Sequence, residues 1–465
     1  MAMSTRSSGV PRSPARPIPG ARGLSARAAA TAAGGRAATI SLGRSFAVES
    51  GNYFLLLGTT LFLVIFGLVM VLSSSTIDSF NGNQGFFGGF LRQGMYAVIG
   101  VPLMLVVASV PSEFWKRRAW LVMGVAAALQ LLVVATPLGV EVYGNRNWIQ
   151  LGPVTAQPSE LVKVGLVIWL ALILARKRHL LTSWPHVLIP IGPVAGGAIG
   201  LVLLGSDLGT VIILTSIVIG ALFFAGVRMR MLAIIVAAVS LGAIVMTVIS
   251  PNRMIRVLGF LNGTTDYEGS GWQSTHGLYA LAAGGVFGVG LGNSKAKWSW
   301  LPAADNDYIF AIIGEELGLI GAVVLLLLFV VMAIAFIRII RSTNDPFSRV
   351  LVGSVMVWIV GQAFVNIAVV LQLLPVLGVP LPLMSSGGSA LITTLVGIGL
   401  VLGIAKHPPI IEDQPAPPAG HPGAQGTPRA QSVPTARATT ARATPTGRTP
   451  QDAPRPRGTA RSYRP

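Results

Sequence analysis

Runs of about 20 predominantly apolar residues recur along most of this chain, near 53–74, 94–111, 117–138, 159–176, 186–204, 208–227, 230–250, 308–338, 348–373 and 386–405. At 1.5 Å per residue a helix of that length spans the hydrocarbon core of a bilayer. Only helices or closed barrels satisfy every backbone polar group there. The expected fold is therefore an all-α polytopic membrane protein with about ten transmembrane helices. Composition agrees: 52% of the residues are hydrophobic and only 11% charged, whereas soluble domains are about a quarter charged. The eighth run is long enough to tilt strongly or to project beyond the bilayer.

The net charge of +18 would suit a nucleic-acid binder, but its distribution predicts no nucleic-acid partner. Seven Arg lie in residues 1–50 and eight in residues 407–465, two Pro/Ala/Arg-rich tails that read as disordered. The rest cluster in alternate loops: Lys116, Arg117 and Arg118; Arg176, Lys177 and Arg178; Arg228 and Arg230; Arg338, Arg341 and Arg349; then Lys406. The intervening loops hold only Arg92, Arg146, Arg253, Arg256, Lys295 and Lys297. By the positive-inside rule this alternation fixes ten crossings with both termini in the cytoplasm. The first 50 residues lack an apolar core with a small-residue cleavage site, so no cleaved signal peptide is expected. With no Cys, disulfides, thiolate catalysis and Cys metal sites are excluded. The five His show no zinc-site spacing.

The longest connection, 251–307, falls on the outer side. It carries Phe260, Tyr267, Trp272, Trp298 and Trp300 beside the glycine-rich run AAGGVFGVGLG. Long loops in compact proteins are usually functional or disordered. Aromatics with glycines point to an ordered loop at the membrane interface. Its four cations stand where the positive-inside rule disfavours them, which suggests an anionic ligand, with solvated loop charge as the alternative.

Ionisable groups at membrane depth are costly and mark functional candidates. Glu160 and Lys163, in QPSELVK, are spaced to pair on one helix face, either as a neutralising salt bridge or to position a catalytic group. Asp207, in GSDLGT, suits a helix cap. Asp307 lies where the long loop re-enters the membrane, in LPAADNDYIFAIIGEELG. Beside low-dielectric lipid its pKa would rise and it could act as a general base, or it could cap the helix. Glu315 and Glu316, about 12 Å further along that helix, need partners, either a water-filled cavity or Lys163. Finally, Pro375, Pro380 and Pro382 in QLLPVLGVPLPLMSSGGSA forbid a regular helix and predict a re-entrant loop lining a cavity. Ser385 and Ser386 would supply hydroxyls there.

These blocks, in this order, resemble the SEDS family (shape, elongation, division and sporulation) over residues 53–406, and GVPLPLMSSGGSA is more like its cell-division branch. The basic Arg/Ala/Pro-rich tails resemble those of actinobacterial members. The resemblance implies a peptidoglycan glycosyltransferase that acts on lipid II with a class B penicillin-binding transpeptidase, in the cytoplasmic membrane and at the division septum. The family's catalytic aspartate falls on Asp307, and its paired Glu and Lys on Glu160 and Lys163. Arg146, in GNRNWIQLG, lies in the family's Arg/Trp motif. Three positions depart from the pattern: Asn147 stands where an Arg usually precedes the Trp, Asp305 where a His often stands, and Ser386 where Tyr or Ala is usual.

On this reading Asp307 deprotonates the 4-hydroxyl of one glycan end, and that oxygen attacks the anomeric carbon of the other with inversion. Arg253, Arg256, Lys295 and Lys297 hold the departing pyrophosphate. A divalent cation, Mg or Mn, could assist, although no ligand set is legible. Gln273 and the glycines 284, 285, 288, 290 and 292 shape a loop covering the site. The competing readings are a lipid II flippase, which broken helices and intramembrane charges also suit, and a non-catalytic scaffold recruiting other division proteins through the tails.

Overall fold

The computed structural model describes residues 51–406, apart from 84, 143–144, 152–153, 262–270 and 299. Both basic tails, with the disorder expected of them, lie outside the described residues. Three helices open the chain: α1 (Gly51–Asn81), α2 (Gly88–Ala108) and α3 (Ser112–Ala135). A small antiparallel sheet follows, β1 (Gly139–Val142), β2 (Asn145–Leu151) and β3 (Val154–Ala156), with Gly139 opposite Ile149 and Gln150 opposite Thr155. Then come α4 (Pro158–Arg176), α5 (Trp184–Leu204), α6 (Leu208–Phe224), α7 (Met229–Ile249), α8 (Pro251–Leu261) and α9 (Trp272–Gly284). The last helices are α10 (Ile309–Ser342), α11 (Pro346–Met356), α12 (Gln362–Val370) and α13 (Gly388–Lys406).

Nine apolar stretches are long enough to cross a membrane among the described residues, with α11 and α12 forming one of them. The 17-residue α6 is slightly shorter, at the lower limit for a span. The protein is a polytopic helical membrane protein. A small three-stranded sheet accompanies the helices without changing that class. Its strands hold three to seven residues, too short to register beside 20-residue apolar runs.

Local chemistry sets the helix ends. Pro158 and Pro346 occupy first turns, where a missing N–H costs nothing. Asp207 caps α6 by accepting from the Thr210 N–H at 2.9 Å, and Asp345 caps α11 by accepting from Ser348 at 3.1 Å. The capping role expected of Asp207 is therefore observed.

Helix α4 is buried along nearly its whole length, packed against α3, α6, α11 and α13. A helix carrying both Glu160 and Lys163 could not face lipid cheaply, so the centre of the bundle is where it belongs. Helix α7 is the opposite case. Only Met231 on it is buried, which suits its mainly apolar composition beyond Arg230.

Helix α10 is not the single long span expected. Gly318 has φ 67° and ψ −166°, so a nine-residue half-helix, 309–317, meets the longer one at a break. The break is stitched to the glycine-rich run: Val289 and Gly290 donate to the carbonyls of Glu315 and Glu316, and Leu319 and Ile320 donate to those of Gly285 and Val286. Only glycine fits here. A Cβ on Gly318 would sit 2.4 Å from the Val286 carbonyl oxygen, and one on Gly288 (φ 82°) 2.2 Å from that of Glu316.

Candidate active site

The prolines between α12 and α13 do prevent a helix, and residues 371–387 turn back into the bundle. Val379, Leu381, Leu383, Met384 and Ser385 are all buried. The Pro380 carbonyl accepts from Gln362 Nε2 at 2.9 Å, and the Val379 carbonyl from Asn366 Nδ2 at 2.7 Å. Their donors sit one and two turns inside the end of α12, so the loop is re-entrant.

This loop holds the segment that carries Asp307. The Ser386 N–H donates to the Asp305 carbonyl at 2.8 Å. Ser385 Oγ donates to the Asn306 carbonyl at 2.7 Å while accepting from the Leu381 N–H at 2.8 Å. Asn366 Nδ2 donates to the Asp307 carbonyl at 2.7 Å. Three consecutive carbonyls are thus each engaged by a different donor. The motif's hydroxyls, Ser385 above all, serve the architecture of the site.

The Asp307 carboxylate itself is left unused. No side chain caps α10, so capping does not explain this residue, and among the described residues no hydrogen bond uses its oxygens. Oδ2 lies 3.6 Å from where a Cβ would stand on Gly378, which has φ +67°. The residue is half-buried. Burial, and then the neighbouring Asp305 and Asp207, push its pKa from 3.8 up to about 6. Asp207 is held in place by Thr210 and by Gln157 Nε2, which donates to its Oδ2 at 2.8 Å.

Glu160 and Lys163 form a salt bridge of 2.6 Å, both nearly fully buried. Thr393 Oγ1 donates to the second Glu160 oxygen at 3.3 Å, and Lys163 Nζ donates to Gln362 Oε1 at 3.3 Å. Lys163 also lies 5.8 Å from the centre of the Trp358 ring, on a π-helical turn, Val357–Gly361, that precedes Gln362. Since Gln362 also holds Pro380, the ion pair and Asp307 are fixed to the same re-entrant loop.

The two glutamates of α10 neither face a cavity nor pair with Lys163. Glu315 accepts from the N–H groups of Lys295 (2.9 Å) and Ala296 (3.3 Å) and from Ser294 Oγ. Glu316 accepts from Ser73 Oγ at 2.6 Å and pairs with Lys297 at 3.4 Å. Lys297 is buried and also donates to the Gly292 carbonyl at 2.6 Å, so its charge is matched within the protein. Lys295 is exposed. The glycine run therefore locks the break in α10, whereas the expectation was a cover over the site.

Helix α9 packs on the site through Gly277, where a Cβ would lie 2.7 Å from the Tyr308 ring. Gln273 Nε2 donates to the Pro302 carbonyl at 3.1 Å. Trp272 stacks on His276 at 3.8 Å and donates to the Trp300 carbonyl at 2.9 Å, so these two tryptophans of the loop pack together; Tyr267 lies outside the described residues. Arg146 Nη2 donates to the Thr136 carbonyl at the end of α3. Asn147, the departure beside it, is buried, accepts from Gln130 at 2.6 Å and donates to Gly205 at 3.3 Å. Arg253 and Arg256 lie on α8, and their side chains are outside the described residues. No group of three or more metal-ligating side chains occurs among the described residues.

Sequence reasoning missed Asn366, Gln362 and Gln157. A signal existed: Gln362 and Asn366 are amides one turn apart in the apolar run GQAFVNIAVV, and amides inside a span usually bond across helices.

A family model described as "cell cycle protein", covering FtsW, RodA and SpoVE, matches residues 53–409. Among curated proteins the chain is similar to the probable peptidoglycan glycosyltransferase FtsW of Mycobacterium tuberculosis, at 37% identity over 77% of this chain and 68% of that one. It is also similar to stage V sporulation protein E of Bacillus subtilis, at 35% identity over 76% and 96%. Among solved structures it matches a chain reported under "Structural coordination of polymerization and crosslinking by a peptidoglycan synthase complex" (TM-score 0.64, 27% identity, 75% of this chain and 96% of that one). The rod shape determining protein RodA of Thermus thermophilus shares the fold (TM-score 0.58, 24% identity, 78% and 98%).

Proposed function

The chain belongs to the cell cycle protein family of FtsW, RodA and SpoVE, and from that premise we propose that it is a peptidoglycan glycosyltransferase of the cytoplasmic membrane that polymerises lipid II. The observation that carries the reading is the unused Asp307 carboxylate, half-buried beside Gly378 of the re-entrant loop and with a pKa of about 6. A carboxylate so placed is ionised at neutral pH yet basic enough to take a proton in a transition state.

Asp307 accepts the proton of the 4-hydroxyl on the acceptor sugar. The oxygen forms its new bond to the anomeric carbon of the donor as the bond from that carbon to the polyprenyl pyrophosphate breaks, with inversion. The leaving pyrophosphate takes the bonding electrons. Exposed Lys295, with Arg253 and Arg256 of α8, offers charge to it, and a divalent cation arriving with the pyrophosphate would add to them. Lys297 stands as part of the scaffold, with Glu160, Lys163, Ser385 and Ser386 holding the re-entrant loop.

The positive-inside pattern supports a topology with both termini in the cytoplasm and Asp307 outside. A class B penicillin-binding transpeptidase is the proposed partner, since crosslinking must follow polymerisation. Likeness to FtsW proteins favours work at the division septum, where the tails would meet other division proteins. The break in α10 and the re-entrant loop are also features of transporters, so a flippase is the second reading.

Purified lipid II distinguishes them. Incubated with the chain and a transpeptidase whose serine is inactivated, it yields glycan polymer if the proposal holds. Translocation of lipid II in liposomes without polymer would establish the flippase instead.

A further inference from the structure

We propose that Asn366 is the positioning residue of this site, tying the backbone of Asp307 to the re-entrant loop and, through that loop, to the buried Glu160–Lys163 pair. The inference rests on the glycosyltransferase reading above. Asn366 is 1% exposed, and its Nδ2 spends both hydrogens at 2.7 Å, one on the Asp307 carbonyl and one on Val379. Ser385 also joins the two segments, from within the loop itself; Asn366 does so from α12.

One turn earlier on the same helix, Gln362 bonds to the next loop carbonyl, Pro380, and accepts from Lys163. Consecutive loop carbonyls are therefore read by amides at i and i+4, the spacing that puts both on one helix face. The π-helical turn at Val357–Gly361 lies immediately before this face, and such turns often mark functional sites. An apolar residue in place of Asn366 would leave two buried carbonyls without donors, which is a large penalty where water is absent.

A second observation argues against mere packing. Asn366 Oδ1 is buried and has no hydrogen-bond partner among the described residues. A buried acceptor left open calls for an explanation beyond packing. What the amide achieves is geometry: all three carbonyls from Asp305 to Asp307 are held, and the carboxylate is left open and close to Gly378. The charged groups facing Asp307 are Asp305 in its own segment and Asp207 at the start of α6. Asn366 is neutral, so it acts on the site through position.

The test compares wild type, Asn366→Ala and the near-isosteric Asn366→Asp, each as full-length chain with its transpeptidase partner, in steady-state polymerisation of lipid II against pH. Asn366→Ala is expected to lower kcat by about 100-fold with KM within about threefold. The acid limb of its pH profile should fall below 6 as the Asp307 segment loosens into water. Asn366→Asp brings a negative charge against the segment and should move the limb above 6. Hydrogen exchange on the same samples reads the tether without activity: residues 303–308 and 378–381 should exchange faster in both variants, with α3 unchanged.

Wild-type kcat and an unmoved limb in both variants would overturn the inference, as would unchanged exchange in the two segments. If the wild type makes no polymer, the glycosyltransferase reading falls, and the exchange result still decides whether the tether exists. Should Asn366→Ala fail to fold, Asn366→Asp carries both measurements.

Discussion

Lys163 Nζ lies 2.6 Å from Glu160 Oε1, one turn apart on a helix that is buried along nearly its whole length. The pair is closed by Thr393 and Gln362. A buried ion pair contributes little over an apolar pair of the same volume, but a lone buried charge is very costly. Glu160→Gln or Lys163→Met alone should therefore cost about 3–5 kcal/mol. The double variant should be more stable than either single one, as read by thermal unfolding in detergent. Additive losses would show that the two charges do not depend on each other.

The two lysines of the long loop should separate in behaviour. Lys297→Ala strands the Glu316 carboxylate beside the break in α10. Exchange protection over 285–297 should fall by about 100-fold or more, the scale of losing a buried charge partner. Lys295→Ala, at an exposed site, should leave protection intact and raise the KM for lipid II, with the effect shrinking as salt is added. Equal protection in the two variants would remove Lys297 from the scaffold.

Polymerisation should rise with pH through about 6 and then level off, because the base must be unprotonated and Asp307 titrates there. Asp305 contributes to that elevation by its negative charge. Asp305→Asn should shift the acid limb to lower pH, as measured in initial rates. A shift upward would contradict the electrostatics of the site.

The same elevation has a stability cost. The carboxyl holds its proton more tightly folded (about 6) than unfolded (3.8). Folding thus loses stability as pH rises from about 4 to 6, and the loss persists above 6. Asp307→Asn removes the ionisation. Its folded state should be more stable than that of the wild type at pH 7.5 by on the order of 1–2 kcal/mol after solvent screening, read as a higher thermal midpoint. The two should converge near pH 4. A less stable Asn variant at neutral pH would mean that the carboxylate has a partner when folded.

The nine stretches long enough to span, and the shorter α6, were legible because bilayer thickness sets a minimum length for each, and the loop at 371–387 because three prolines so close together break a helix. Glu160–Lys163 was legible because i, i+3 spacing alone brings the two together. The partners of Glu315 and Glu316 were not. They come from Ser73 in α1 and from the loop at 294–297, and no local spacing encodes that meeting. The break at Gly318 was hidden because a glycine within a long, largely apolar segment reads as helix. Only the close approach of Gly288 reveals why it is there. Asn366 escaped because it is uncharged, although an amide in a span needs a partner as surely as a carboxylate does.

The central claim is that Asp307 is the base of a lipid II polymerase. Glycan-strand formation from purified lipid II, by wild type and by Asp307→Asn, each co-purified with its transpeptidase carrying an inactivated serine, tests it most directly. Polymer from the wild type and none from an equally folded Asp307→Asn is the predicted result. Equal polymer from both would contradict it and turn attention to Asp305 and Glu160.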